Sequence, residues 1–260
     1  MSPREPVRRI FAILALVCAA TAAHGADWRE HGPRALIVTY HVAPADRIAF
    51  TAAVRTRMLP RLERLRATGA LDSYHLLANR YVDSATWDLM LILDFHTSAM
   101  LARWRQVEAQ APAGLEPSAL RLVTSIESAP ADPMFGSAAP RHPGDPATVY
   151  LLVPYQYFVS EDEYLAYAKS YLVPQTEGWL AAGVLQSYRL YLPRYPAGRD
   201  WSALLVLGYR GDAGLARRDA VVKAVRAHLA ATSPQWNAFA QRKQKLRTEK
   251  QATIAEELLP

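Results

Sequence analysis

Residues 87–95 read WDLMLILDF, and 114 positions later residues 201–209 read WSALLVLGY. Each is a short, Trp-headed, mostly apolar run ending on an aromatic residue, the composition of a well-buried strand. The spacing extends well beyond these two runs. Sliding the chain by 114 without a gap aligns residues 36–104 with 150–218, and 18 of the 69 pairs are identical. Landmarks include Pro60/Pro174, Gly69/Gly183, Leu71/Leu185, Ser73-Tyr74/Ser187-Tyr188, Arg80-Tyr81/Arg194-Tyr195, Trp87/Trp201 and Leu91/Leu205. Repetition on this scale predicts two copies of one structural unit.

Within each copy the periodicity changes in the same order. Residues 36–42 and 149–157 have strand length and composition. Residues 46–68 and 160–182 carry helix-period apolar positions and end at Gly69 and Gly183, suited to helix C-termini. Pro60 and Pro174 stand late in those helices and predict a kink in each. Two alternating runs follow, 71–81 with 87–95 and 185–195 with 201–209, joined by turns at Asp83-Ser84 and Ala197-Gly198 that mark hairpins. A second helix is expected over 98–110 and 213–231, and a last strand over 120–127 and 251–258. The order is βαββαβ in each copy. Residues 129–147 hold five Pro and two Gly and predict a linker without regular structure; in an extended proline-type conformation it would reach on the order of 60 Å. The expected division is therefore a first unit over 26–128, a linker over 129–147 and a second unit over 148–260.

The first 25 residues read as an address. Arg4, Arg8 and Arg9 form a basic head, residues 10–23 an apolar run, and Ala23-His24-Gly25 a small-residue cleavage pattern before Ala26. The run is short for a membrane span, which needs about 20 residues. A signal peptide over 1–25 implies a periplasmic or secreted protein with no membrane attachment after cleavage. Cys18, the one cysteine, lies in this leader behind Val17, where lipid attachment would want a small residue. The mature chain would then have no cysteine, which excludes disulfides, thiolate catalysis and Cys-based metal sites. Its charge would fall from +6 to +4, since 27 basic and 23 acidic side chains remain of the original 30 and 24.

Residues 87–95, followed by a helix, and their counterpart 201–209 resemble the third strand of the ferredoxin-like domains of the dimeric α+β barrel superfamily. That superfamily includes stress-responsive barrel proteins, antibiotic-biosynthesis monooxygenases and haem-binding relatives. The resemblance covers both copies and lies in pattern, with no diagnostic motif. It implies an α+β fold in which two tandem ferredoxin-like units form a barrel within one chain, sheets facing inward and helices outside. Such a chain would be a monomeric pseudo-dimer or a homo-oligomer of pseudo-dimers. The fold by itself does not imply a chemistry.

Strand alternation divides the side chains into a helix-packed set and a barrel-lining set. Phe95 and Tyr209, stepped back by twos, place Trp87, Leu89, Leu91 and Leu93 under the helices with Tyr74, Leu76 and Ala78. Asp88, Met90, Ile92, Asp94, Ser73, His75, Leu77 and Asn79 then line the barrel, with Ile37, Thr39 and His41 from the first strand. Between the copies the helix-packed set is largely kept and the lining has diverged. His41 faces Tyr155 in the alignment, His75 faces Arg189, Leu77 faces Tyr191, Asp88 faces Ser202 and Asp94 faces Gly208. His41, His75 and Asp94 are expected at one end of the barrel as candidate catalytic residues. They could serve as an acid/base group or as a two-His-one-carboxylate metal site, although no local ligand spacing supports a metal. Tyr155, Tyr157, Arg189, Tyr191 and Asp88 are the candidate ligand-binding residues, supplying an anion clamp and hydrogen-bonding aromatic walls.

Three readings follow. The chain binds a small aromatic or anionic molecule in its barrel, or it is a cofactor-free or metal-assisted oxygenase or isomerase using the His/His/Asp set, or it is an interaction module with a filled barrel. Dinucleotide, phosphate-loop and nucleophile-elbow motifs are missing. The basic stretch at Arg242, Lys243, Lys245, Arg247 and Lys250 is interspersed with acidic residues and reads as a solvated helix face. No nucleic-acid partner is expected, because the aromatic RNA-binding motif of ferredoxin-like sheets is absent.

Overall fold

The computed structural model describes residues 34–259; the leader expected over 1–25 lies outside them. The first half runs β1 (Ala35–Val42), α1 (Arg47–Ala53), a π turn (Val54–Met58), α2 (Leu59–Ala67), β2 (Ser73–Asn79), β3 (Leu89–Asp94), α3 (Ser98–Gln110), α4 (Pro117–Leu120) and β4 (Val123–Ala138). The second runs β5 (Val149–Tyr157), α5 (Glu161–Tyr167), a π turn (Ala168–Leu172), α6 (Val173–Ala181), β6 (Leu185–Pro193), β7 (Ala203–Tyr209), α7 (Gly211–Ala216), α8 (Arg218–Thr232), α9 (Pro234–Leu246), β8 (Arg247–Glu249) and β9 (Thr253–Glu257).

The strands close into an eight-stranded antiparallel barrel in the order β7-β6-β4-β1-β3-β2-β9-β5, with β5 returning to β7. β8 continues the place of β9 along β5. Two seams join the halves: β4 pairs with β6, and β2 with β9. Closure leaves the barrel without the unpaired edges that an open sheet must protect.

Three apolar clusters hold this arrangement. The helix-facing sides of the two halves form one each, around Val38, Tyr40, Phe50, Leu76 and Leu91 and around Val153, Tyr155, Tyr167, Leu190 and Leu205. The third lies inside the barrel and includes Ile37, Leu77, Met90, Ile92, Tyr191, Leu204 and Val206. The barrel's middle is thus a packed core.

Pro60 and Pro174 are accommodated by π turns at their N-terminal side, each proline falling in the first turn of the next α-helical segment. A proline would clash with the carbonyl four residues earlier, and widening that turn relieves the clash without ending the helix.

Three sequence expectations are corrected. First, the Pro-rich stretch is not structureless from residue 129: β4 continues to Ala138 and passes from β1 to β6. Its prolines stand where the ladder to β6 ends or breaks. The Pro130 carbonyl accepts from Arg194 N beyond the end of β6, whereas Pro133 stands at a bulge with its carbonyl turned to Arg34. Second, Trp87 packs inside the barrel rather than under the helices, with Trp201 against the same cluster. Trp87 lies in the turn before β3, where strand parity no longer applies. Third, Arg247 is buried at the start of β8 and is no part of a solvated face. Its guanidinium lies 3.9 Å from the centre of the Tyr155 ring and its Nε donates to the Tyr167 hydroxyl at 2.9 Å.

Candidate functional site

One end of the barrel collects the starts of β1, β2, β5 and β6 and the ends of β3, β4, β7 and β9, as the registers Ala35↔Asp94, Ser73↔Asp94 and Tyr150↔Gly208 require. A cavity of about 440 Å³ opens there, above the packed middle. Its walls include Ser73, His75, Tyr150, Arg189, Tyr191 and Glu257, with Arg141 from the β4–β5 connection.

Two polar groups organise it. In the first, Asp94 is almost fully buried and accepts from Ser73 Oγ at 2.9 Å, Arg189 Nη1 at 3.3 Å and the Tyr191 hydroxyl at 3.3 Å. Asp94 is on β3, three strands from β6 in the barrel order, so Arg189 reaches across the opening to the other half's sheet. Burial and the Asp94 charge push the Tyr191 phenol well above its ordinary range, keeping it a donor. In the second group, Glu257 Oε1 lies 2.8 Å from His75 Nδ1, and Glu257 Oε2 accepts from the Tyr150 hydroxyl at 3.0 Å. Burial pushes the Glu257 carboxyl up, but the hydrogen bonds from His75 and Tyr150 and the charges of His75 and Arg141 outweigh it and hold the carboxyl below its usual value. Tyr150 is pushed up by burial and by the Glu257 charge.

The structure brings together His75, Asp94, Arg189 and Tyr191 and separates the other candidates from them. His41 is six residues along β1 from Ala35, the partner of Asp94, and so lies on the order of 20 Å from the cavity end. β1 and β3 are antiparallel neighbours, so the end of one meets the start of the other; the expected His/His/Asp set does not form. Asp88 is at the far end as well, where it accepts from Val42 N at 2.8 Å and pairs with Arg47 at 3.4 Å. Tyr155 and Tyr157 face the helices, Tyr155 under Arg247 and Tyr157 stacked on Tyr164 at 4.6 Å between ring centres. Among the described residues no three His, Cys, Asp or Glu side chains gather to hold a metal.

The misplacement of Tyr155 has a definite origin. The third strands match at a spacing of 114, but Ala35 stands opposite Asp94 as Tyr150 stands opposite Gly208, so the first strands match at 115. At that spacing Leu36, Val38 and Tyr40 meet the identical Leu151, Val153 and Tyr155, all on the helix side. The loop from β5 to α5 is one residue shorter than that from β1 to α1, which restores 114. A one-residue slip moves every side chain of a strand to the other face.

Glu257 and Tyr150 were not among the sequence candidates. Tyr150 could have been found by allowing that slip; Glu257 sits on a strand with no resolved alternation and had no such signal. At corresponding places around the barrel end, Ala35 stands against Tyr150, His75 against Arg189, Leu77 against Tyr191 and Asp94 against Gly208. Gly208 is required where it is: a Cβ there would lie 2.7 Å from Ser187 Oγ and 3.0 Å from Thr148 Cγ2.

The described residues thus form a closed eight-stranded antiparallel barrel with helices outside and a polar cavity at one end. Among solved structures, this chain is similar in fold to a candidate monooxygenase from Lactobacillus acidophilus NCFM, with a TM-score of 0.56 and 11% identity over 88% of this chain and 95% of that one. It is equally similar to a candidate monooxygenase from Fusobacterium nucleatum subsp. nucleatum, with a TM-score of 0.56 and 12% identity over 88% and 94% of the two chains. No protein-family profile matches the chain, and no curated protein sequence does.

Proposed function

We propose that this protein binds a small anionic molecule with an apolar or aromatic body in the cavity at the barrel end. The observation that carries this reading is the cavity itself, set over a packed core and walled by charged and aromatic residues at places where the two halves differ. Among the described residues Arg189 pairs with Asp94 through Nη1, and the Arg141 guanidinium donates to Thr148 with no carboxylate in hydrogen-bonding contact. Both therefore retain N–H donors for an anion, while Tyr150, Tyr191 and Val206 offer apolar surface. Calorimetric titration with benzoate tests it: saturable binding that weakens in Arg189→Met is expected. Failure of benzoate and its ring-substituted relatives to bind at millimolar concentration would remove the reading.

A second reading is proton-transfer catalysis, as an oxygenase or isomerase would use, favoured by the 2.8 Å contact between His75 and Glu257. A carboxylate holding one nitrogen of an imidazole leaves the other to take a proton. The base would be His75 oriented by Glu257, with no part for His41.

The chain's history and address belong to the same proposal. Tandem duplication of a βαββαβ unit is supported by strand order, since β4-β1-β3-β2 and β9-β5-β7-β6 are the same succession in the two halves. It is further supported by the π turns and by the Glu63–Tyr74 and Glu177–Tyr188 hydrogen bonds, all 114 residues apart. Export after cleavage between Gly25 and Ala26 is tested by the N-terminal sequence of protein recovered from the periplasm or medium.

A further inference from the structure

The two ends of a bound molecule meet different chemistry, and this deepens the anion-binding reading on which it rests. An ionised carboxylate only accepts hydrogen bonds, so the His75 nitrogen 2.8 Å from Glu257 Oε1 carries a proton, and the neutral form of the ring is the Nδ1–H tautomer. In the neutral ring Nε2 is then a bare acceptor, and among the described residues it has no hydrogen-bonding partner. Each Glu257 oxygen already accepts one hydrogen bond, from His75 on one side and Tyr150 on the other. Asp94 is likewise taken up by Ser73, Arg189 and Tyr191. Of the acceptors in this network, His75 Nε2 is thus the one that enters no hydrogen bond among the described residues. Across the opening, Arg189 on the opposite strand offers its remaining N–H groups.

We infer that the cavity selects hydroxy acids: a carboxylate at the Arg189 side and, at the other end of the molecule, a hydroxyl that donates to His75 Nε2. A site built around a fixed acceptor rejects the analogue lacking the donor, because acceptor and ligand are then left unpaired together. A hydroxyl capped by methyl fares no better, having lost its proton.

The experiment is calorimetric titration of the purified protein with benzoate, 4-hydroxybenzoate and 4-methoxybenzoate, repeated on His75→Phe and His75→Gln. The expected result is 4-hydroxybenzoate about tenfold tighter than either of the others. That preference should vanish in His75→Phe and partly return in His75→Gln, whose amide can donate to Glu257 and still accept from the ligand. Equal binding of all three probes overturns the hydroxyl inference and leaves anion binding standing. A preference that survives in His75→Phe overturns the assignment to His75. No binding by any probe overturns the anion-binding reading as well.

Discussion

Asp94 and Glu257 are carboxylates at the same barrel end, and their surroundings give them different sensitivities. Asp94 depends on one cation that is itself half in solvent, the Arg189 side chain being 47% exposed. Removing that cation strands a buried charge, at a cost below the 3–5 kcal/mol typical of a fully buried pair because water screens Arg189. Arg189→Met is expected to lower stability by about 1–2 kcal/mol, and Asp94→Asn in the same chain to recover part of it; a double-mutant cycle by urea denaturation checks this. Glu257 has a pH signature. Its folded carboxyl is held below the ordinary 4.5, so its contribution is complete above that value and is lost as pH falls through the folded one. Wild type is therefore expected to exceed Glu257→Gln in urea midpoint at pH 7, with the gap narrowing toward pH 3. A constant gap would show that the carboxylate does not gain from its ionised form. Alternation within β2, β3 and β6 made His75, Asp94, Arg189 and Tyr191 legible from sequence, because strand parity alone places them. Glu257 was not, since its partners come from β2 and β5, and no local pattern reports a contact of 182 residues' separation.

At the scale of elements, legibility followed whether a segment's neighbours are local. The helices and both hairpins declare themselves through periodicity and turn residues, whereas the strand order came from the resemblance to barrel domains. β4 did not: its prolines argue against a strand, and only the placement of β1 and β6 shows that Pro130 lies at the end of the β6 ladder and Pro133 at a bulge. β9 is the counterpart seam, holding β2 on one side and β5 on the other. Its inward residue Ala255 is fully buried, as are Ala35 on β1 and Ala131 on β4 across the barrel. Small residues let the sheets approach, so volume added there has nowhere to go. Ala255→Leu is expected to destabilise by roughly 1–3 kcal/mol through overpacking. Thr248→Leu, at an exposed position of β8 on the same C-terminal segment, should change stability by no more than about 0.5 kcal/mol. Thermal denaturation of the two variants separates a packing effect from general intolerance of that segment.

At the scale of the molecule, each half carries its own helix-packed cluster, whereas the barrel core is shared and closed by the β4–β6 and β2–β9 seams. The chain between the halves adds little to that closure. After β4 ends at Ala138, the connection to β5 passes through exposed Arg141, His142, Pro143 and Gly144, the last at φ +91°. It acts as a tether that raises the concentration of one half around the other. A protease site inserted between Pro143 and Gly144 should therefore cut without loosening the barrel, since loop tips tolerate insertion and nicking when their backbone is exposed. The two fragments are expected to co-elute as one species of the uncut size and to retain the far-UV spectrum. The unfolding midpoint should become dependent on protein concentration, because closure would have become a bimolecular step. Separation of the fragments at micromolar concentration would mean that the seams do not hold the halves unaided, and that the connection is a structural part of the barrel rather than a tether.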